Sequence, residues 1–265
     1  EKGRLFVSPE SSTTEELNRI RKGFGVLIPL TASKNFYVNA ETGSDTLDEG
    51  RGESEGKPFK TIQACIDYVC GNYNIYKFQC NIYISEGTYD SAFLNEYVKT
   101  TGTINLVGKK ENRSLVVIKN TSNTGKSSWN IKHITFKPSN DGSITLYAIN
   151  VSHGSVYVEN IAIDLANVGE GQKCSAIYVH TGGAFGVNAT KSMDDPSGMA
   201  IHLNGGSVDN IIIINDTSIF QMSADIEVSG SLECKNSFVQ VYRAGIFNVF
   251  TAPYGTNPGR VPKIS

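Results

Sequence analysis

Apolar and polar residues alternate in short runs along most of the chain, beginning at Phe36-Tyr37-Val38-Asn39. Cys80-Asn81-Ile82-Tyr83-Ile84 continues the pattern. Ile104-Asn105-Leu106-Val107-Gly108 and Leu115-Val116-Val117-Ile118 repeat it. A period of two places alternate side chains on opposite faces, which predicts strands with one buried face. From Ile131 to Phe250 such strands recur between turns of Gly, Asn or Ser. Only one strong helical pattern interrupts them. Pro58 opens it, Phe59, Ile62, Ile66 and Val69 fall on one face, and Gly71 closes it, which predicts a helix over 58–70. Residues 1–34 differ from the rest. Ser11-Ser12-Thr13-Thr14 caps a short predicted helix running to Lys22, and the segment reads as a connector to something upstream.

A repeat in the second half decides the expected fold. Ala148-Ile149-Asn150-Val151-Ser152-His153-Gly154 is followed by Ala176-Ile177-Tyr178-Val179-His180-Thr181-Gly182, Ala200-Ile201-His202-Leu203-Asn204-Gly205-Gly206 and Ala224-Asp225-Ile226-Glu227-Val228-Ser229-Gly230. A degraded fifth unit starts at Ala244, and the five alanines stand 28, 24, 24 and 20 residues apart. Strand-turn units at such a period, without helices, predict an all-β fold, a single-stranded parallel β-helix (solenoid). Its inward ladders are Ile149, Ile177, Ile201 and Ile226 beside Val151, Val179, Leu203 and Val228. Outward, Asn150, Tyr178, His202 and Glu227 form one ladder, rising about 4.8 Å per coil. A leucine-rich repeat lacks its Leu and Asn framework here, and an antiparallel sandwich gives no reason for the period. An open solenoid end exposes core and unpaired backbone, so the helix at 58–70 is expected to cap the N-terminal end. The expected organisation is a connector over 1–34, the β-helix over 35–250 and an extended tail over 251–265.

The order Phe36-Tyr37-Val38-Asn39, Gly43-Ser44-Asp45, Lys57-Pro58-Phe59-Lys60-Thr61-Ile62-Gln63-Ala64 and Ile82-Tyr83-Ile84-Ser85-Glu86-Gly87-Thr88-Tyr89 resembles the opening of pectate-lyase-like right-handed β-helix proteins. It is most similar to those of bacteriophage tail spikes, tail fibres and prophage tail genes. The resemblance covers residues 36–90, and the later coils share only its style. It implies a right-handed solenoid, as the rule for parallel crossovers also does. It further implies a homotrimer, an N-terminal tether to an upstream virion or tail component, and a lateral surface facing a host polysaccharide. The place implied is the virion, or the bacterial cytoplasm before assembly. Such folds carry lyases, hydrolases and binders alike, so activity must be argued from a site.

Composition narrows the chemistry. The formal net charge is −2, and between Arg51 and Arg260 the only arginines are Arg113 and Arg243. That excludes nucleic acid as a partner by bulk electrostatics, and no apolar run is long enough for membrane insertion. Five scattered cysteines, none two residues from another, predict buried free thiols rather than zinc ligands, with Cys70–Cys80 the one candidate disulfide. The Gly43–Gly50 loop has oxygen-rich side chains without EF-hand spacing, so it is expected to be held by side-chain-to-backbone bonds. No metal or cofactor is expected.

Catalytic residues are not identifiable. Lyase chemistry needs calcium-binding carboxylates and a basic residue, and arginine is scarce in the coils. Asn215-Asp216-Thr217 has the wrong order for a polygalacturonase element, and Asp194-Asp195 runs into Pro196-Ser197-Gly198, a solvated turn. Glu227 has no acid near it around His202, unless another subunit supplies one. The candidate carbohydrate-binding residues are Tyr178, His180, His202 and Glu227, where rings pack on sugars and imidazoles bond hydroxyls. The competing reading is stacking along a ladder or a subunit contact. Trp129 is expected to anchor a loop, with sugar stacking as the alternative. Three functions stay open: a glycan-binding tail adhesin, which is favoured, a polysaccharide depolymerase (hydrolase or lyase), and a structural spacer.

Overall fold

The structure, a computed structural model, describes residues 26–97, 101–138, 145–168, 173–187, 201–222, 226–229 and 232–249. It is mostly β, and every strand pairing is parallel. The first sheet holds eight strands in sequence order: Lys34–Val38, Gln79–Ile84, Thr103–Val107, Ser128–Lys132, Ser155–Glu159, Ala184–Val187, Ile219–Met222 and Ile246–Val249. The second holds six, Gly87–Tyr89, Val116–Ile118, Thr135–Phe136, Ile161–Asp164, Ile201–Asn204 and Ile226–Ser229. The third also holds six, Ala92–Leu94, Thr121–Asn123, Thr145–Ser152, Lys173–His180, Ser207–Ile214 and Glu233–Val241. From Gln79 onward the chain visits first, second and third sheet in strict rotation. Each visit adds a strand beside the previous one in that sheet, and no sheet closes on itself.

One core runs along the inner positions. In the first sheet Trp129, Val156, Phe185, Phe220 and Phe247 occupy successive partner positions. The rings of Phe185, Phe220 and Phe247 stack at 5.1 and 5.4 Å. Alternation is interrupted in the third sheet, where Cys174-Ser175-Ala176-Ile177 and Asn210-Ile211-Ile212 are buried as consecutive runs.

The register corrects the repeat. Ile149 pairs with Ile177, but Ile177 pairs with Ile212, 35 residues on, rather than with Ile201. Ile201 belongs to the second sheet, between Ile161 and Ile226. The four similar units are therefore two pairs on two sheets. A strand with one buried face followed by a glycine turn looks alike in either sheet, and unequal connections between the strands displaced the apparent period. Ala200 and Ala224 lie outside the described residues.

The helix, α1, spans Ile62–Asn72 and buries Ile62, Cys65, Ile66 and Val69 against the first strands of the first and third sheets. It starts four residues later than expected. Phe59 is drawn into the edge of the first sheet, its N–H donating to Tyr37 and its carbonyl accepting from Asn39. Thr61 then caps the helix, its side chain accepting from the Ala64 N–H. Gly71 lies inside the last turn rather than ending it. Ile28–Pro29 pairs with Tyr73–Asn74 and Leu30 is buried, so part of the expected connector belongs to this fold. The helix expected near 11–22 and the tail 251–265 lie outside the described residues.

Bonds from Asp45 tie the Gly43–Gly50 loop to the start of α1. Asp45 accepts from the Lys60 and Thr61 N–H groups at 2.9 and 3.0 Å and from the Thr61 hydroxyl at 2.9 Å. Both of its oxygens therefore face donors at the start of α1. Asp45→Ala removes all three bonds at an exposed site and is expected to cost about 1–2 kcal/mol, read as a lower urea midpoint with an unchanged slope. The five cysteines are free thiols, and burial pushes Cys70, Cys80 and Cys174 up to about 12.

Candidate functional site

Tyr178 and His180 share one face of the third-sheet strand Lys173–His180. Tyr178 stacks on Tyr147 at 4.7 Å and on His180 at 4.4 Å between ring centroids. His180 Nε2 contacts Asn150 Oδ1 at 3.0 Å, and Nδ1 contacts the Thr181 hydroxyl at 2.7 Å. A carbonyl oxygen only accepts, so Nε2 carries a proton, and in the neutral ring Nδ1 accepts from the hydroxyl. Burial lowers the His180 pKa, opposed by Asp216 and aided by His153. With two rings stacked on it, Tyr178 has less free face for a sugar than an isolated tyrosine.

His202 and Glu227 lie elsewhere. They are partners on the second sheet, whereas Tyr178 pairs with Asn150 and Ile213 on the third. The expected outward ladder from Asn150 through Tyr178 and His202 to Glu227 is thus split between two sheets. Asp164, on the second sheet, is paired with Lys137 at 2.9 Å. Asp194 and Asp195 lie outside the described residues.

A different surface gathers binding groups. A cleft of about 500 Å³ opens on the outer face of the first sheet, lined by Asn35, Tyr37, Asn39, Glu55, Tyr83, Ser85 and Lys109 among others. Tyr37 and Tyr83 are register partners, and their rings stack at 5.8 Å. Tyr83 is 38% exposed. Beside them runs a row of amides. Asn81 Nδ2 donates to Asn35 Oδ1 at 2.9 Å, Asn105 to Asn81 at 2.6 Å, and Asn130 to Asn105 at 2.7 Å. Each donor spends one of its two N–H bonds in the row. The parallel register places these residues on successive strands. The next partners are Tyr157 and Gly186. A Cβ on Gly186 would stand 2.3 Å from Tyr157 Cδ1, so glycine leaves room for the ring to lie against the neighbouring backbone. Aromatic faces flanked by amides suit a ligand with apolar ring faces and hydroxyl edges.

The corner between first and second sheets carries a polar network. Arg113 Nη1 meets Asn160 Oδ1 at 3.0 Å, and Asn160 Nδ2 meets His133 Nδ1 at 3.2 Å. Arginine only donates, so the Asn160 oxygen faces it and the amide N–H donates to His133, whose proton then sits on Nε2. His133 is 8% exposed. Burial lowers its pKa, Glu159 opposes this, and Lys132 and Lys110 add to it. The unfolded chain therefore binds more protons than the folded one once pH falls below about 6.5, and stability is lost with acidification through that window. The melting temperature is expected to fall between pH 7.5 and 5.5. The fall should be smaller in His133→Asn, because asparagine tolerates the left-handed backbone (φ 57°) without titrating.

Trp129 is fully buried, and its indole N–H donates to the Asn95 carbonyl at 3.2 Å. It anchors the 95–97 segment and offers no surface to a sugar. The described residues contain no group of three or more His, Cys, Asp or Glu arranged to hold a metal. No helix among them is long and apolar enough to cross a membrane. Comparison with protein families, curated proteins and solved structures returned no match.

Proposed function

We propose that the chain is a phage or prophage tail spike or tail-fibre protein that binds a host-surface glycan without cleaving it. In this reading the three sheets are the faces of a right-handed parallel β-helix, and α1 closes its leading end. The rotation of strands among three parallel sheets supports the winding, and the rule for parallel crossovers supports the hand. The protein acts as a homotrimer on the virion, tethered upstream through its N-terminus.

The observation that carries the binding function is the cleft with the stacked Tyr37 and Tyr83 beside the amide row. A pyranose would lay its C–H face on Tyr83 and offer its hydroxyls to the amides and to Ser85. Glu55 and Lys109 stand ready for charged substituents. Glu55 is the one carboxylate lining the cleft among the described residues, whereas hydrolysis uses a pair. This favours binding over cleavage. The test is an array of bacterial capsules and lipopolysaccharides, with any bound polymer sized before and after incubation. Retention without shortening is expected. Shortened polymer would make the protein a depolymerase, and retention of no polymer would leave the spacer role in its place.

A further inference from the structure

The outer face of the first sheet continues past the amide row. Asn130 is followed, at the same position of successive strands, by Tyr157, Gly186, Gln221 and Asn248. Val156, Val158, Phe185 and Val187, on either side of Tyr157 and Gly186, are core residues, so this file faces outward. Gly186 has no side chain to shield it, yet it is buried. The Tyr157 ring supplies the cover. A Cβ on Gly186 would stand 2.3 Å from Tyr157 Cδ1 and 2.7 Å from Cε1, so that edge of the ring fills the space a side chain there would take. Glycine thus seats the ring by its edge. Its faces stay clear: Tyr157 is half-buried, and among the described residues no ring or cation stacks on it.

The amide row has a direction, and it ends at this ring. Each amide gives an N–H toward Asn35, and Asn130 donates to Asn105 at 2.7 Å. Among the described residues no group donates to the Asn130 Oδ1 in return. The end of the row beside Tyr157 therefore presents an unspent acceptor, which a sugar hydroxyl satisfies by donating to it. Clear aromatic faces beside an amide repeat the arrangement at Tyr83 and Asn81. The strands Gln79–Ile84 and Ser155–Glu159 are three steps apart in the sheet, about 14 Å. One pyranose does not reach across that distance, but a chain of them does, and Asn105 and Asn130 lie along the way.

We propose that Tyr157, seated on Gly186 beside the Asn130 oxygen, is a second sugar platform, so that the first sheet takes an extended run of polysaccharide along the amide row. The inference rests on the reading of the cleft as a glycan site. It adds the course and length of the bound chain, which crosses the strands from Tyr83 to Tyr157 and is recognised within the polymer rather than at a single terminal sugar.

The probes are disaccharides and octasaccharides cut by mild acid from each capsule and lipopolysaccharide polymer of the array, with affinities read by calorimetry. For a retained polymer, the octasaccharide should bind the parent at least about tenfold more tightly than the disaccharide. Tyr157→Ala should remove most of that gain, about five- to tenfold, and leave the disaccharide unchanged, whereas Tyr83→Ala should weaken both. Tyr157→Phe keeps the ring and should bind as the parent does, which separates lost stacking from a disturbed sheet. An octasaccharide that binds Tyr157→Ala as tightly as the parent, with Tyr83→Ala still weakened, would overturn the second platform and leave the cleft reading standing. A loss in Tyr157→Phe equal to that in Tyr157→Ala would also overturn it, since the ring face would then not be what binds. A parent that binds no fragment of any polymer would overturn both readings.

Discussion

Trp129→Ala is expected to lower the unfolding free energy by about 3–5 kcal/mol, the range for deleting a large buried aromatic side chain. The indole is fully buried between Ile104 and Val156 on neighbouring strands, so the void cannot be filled from solvent without wetting the core. The loss extends beyond volume. Tyr97 packs edge-on against the indole at 5.5 Å, and its hydroxyl donates to the Ser128 carbonyl. Its N–H donates to the Ser127 hydroxyl at 2.9 Å. Removing the indole leaves the Asn95 carbonyl without that donor and frees the 95–97 segment that these contacts hold. Trp129→Phe keeps most of the packing and loses the N–H bond, so a cost of about 1–2 kcal/mol is expected. Urea unfolding of both variants checks the order. Equal costs would mean that the N–H bond dominates, and a cost below about 1 kcal/mol for alanine would place Trp129 outside the core. At temperatures where Trp129→Ala remains folded, retention of any polysaccharide the parent binds should be unchanged.

What could be read from the sequence was what neighbouring residues decide among themselves. The strands at Phe36–Val38 and Cys80–Ile84 and the amphipathic face of α1 all depend on a pattern that is local in sequence. Pairing between strands distant in sequence was harder to read. The units at Ala148 and Ala176 do pair, and those at Ile201 and Ile226 do too, but alternation cannot say which sheet a strand joins. Longer connections between strands shifted the numbering between the two pairs. The cleft was missed for the same reason. Its signal was present as Asn35-Phe36-Tyr37 and Asn81-Ile82-Tyr83, followed by Asn105-Leu106-Val107 and Asn130-Ile131-Lys132. The first two units stand 46 residues apart because the loop and α1 intervene, so no fixed period connects them. Attention to the asparagine before each inward residue, rather than to spacing, would have found the row.

Tyr83→Ala should weaken binding of any polysaccharide the protein retains by about 10- to 100-fold, or roughly 1.4–2.7 kcal/mol, whereas Tyr178→Ala should change it less than about twofold. The contrast follows from what each ring already touches. Tyr83 stacks on Tyr37 at 5.8 Å, an offset that leaves aromatic surface toward the cleft, and 38% of the residue is exposed. Tyr178 has Tyr147 and His180 within 4.7 Å, so its ring serves the third sheet first. Removing Tyr178 should instead appear as lost stability, about 0.5–1.5 kcal/mol per ring contact. Surface plasmon resonance with immobilised polysaccharide measures the affinities, and melting curves on the same samples separate folding from recognition. The opposite order, with Tyr178→Ala abolishing binding and Tyr83→Ala silent, would move recognition to the third sheet. There the neutral His180, bonded to Asn150 and Thr181, would be the group to test next.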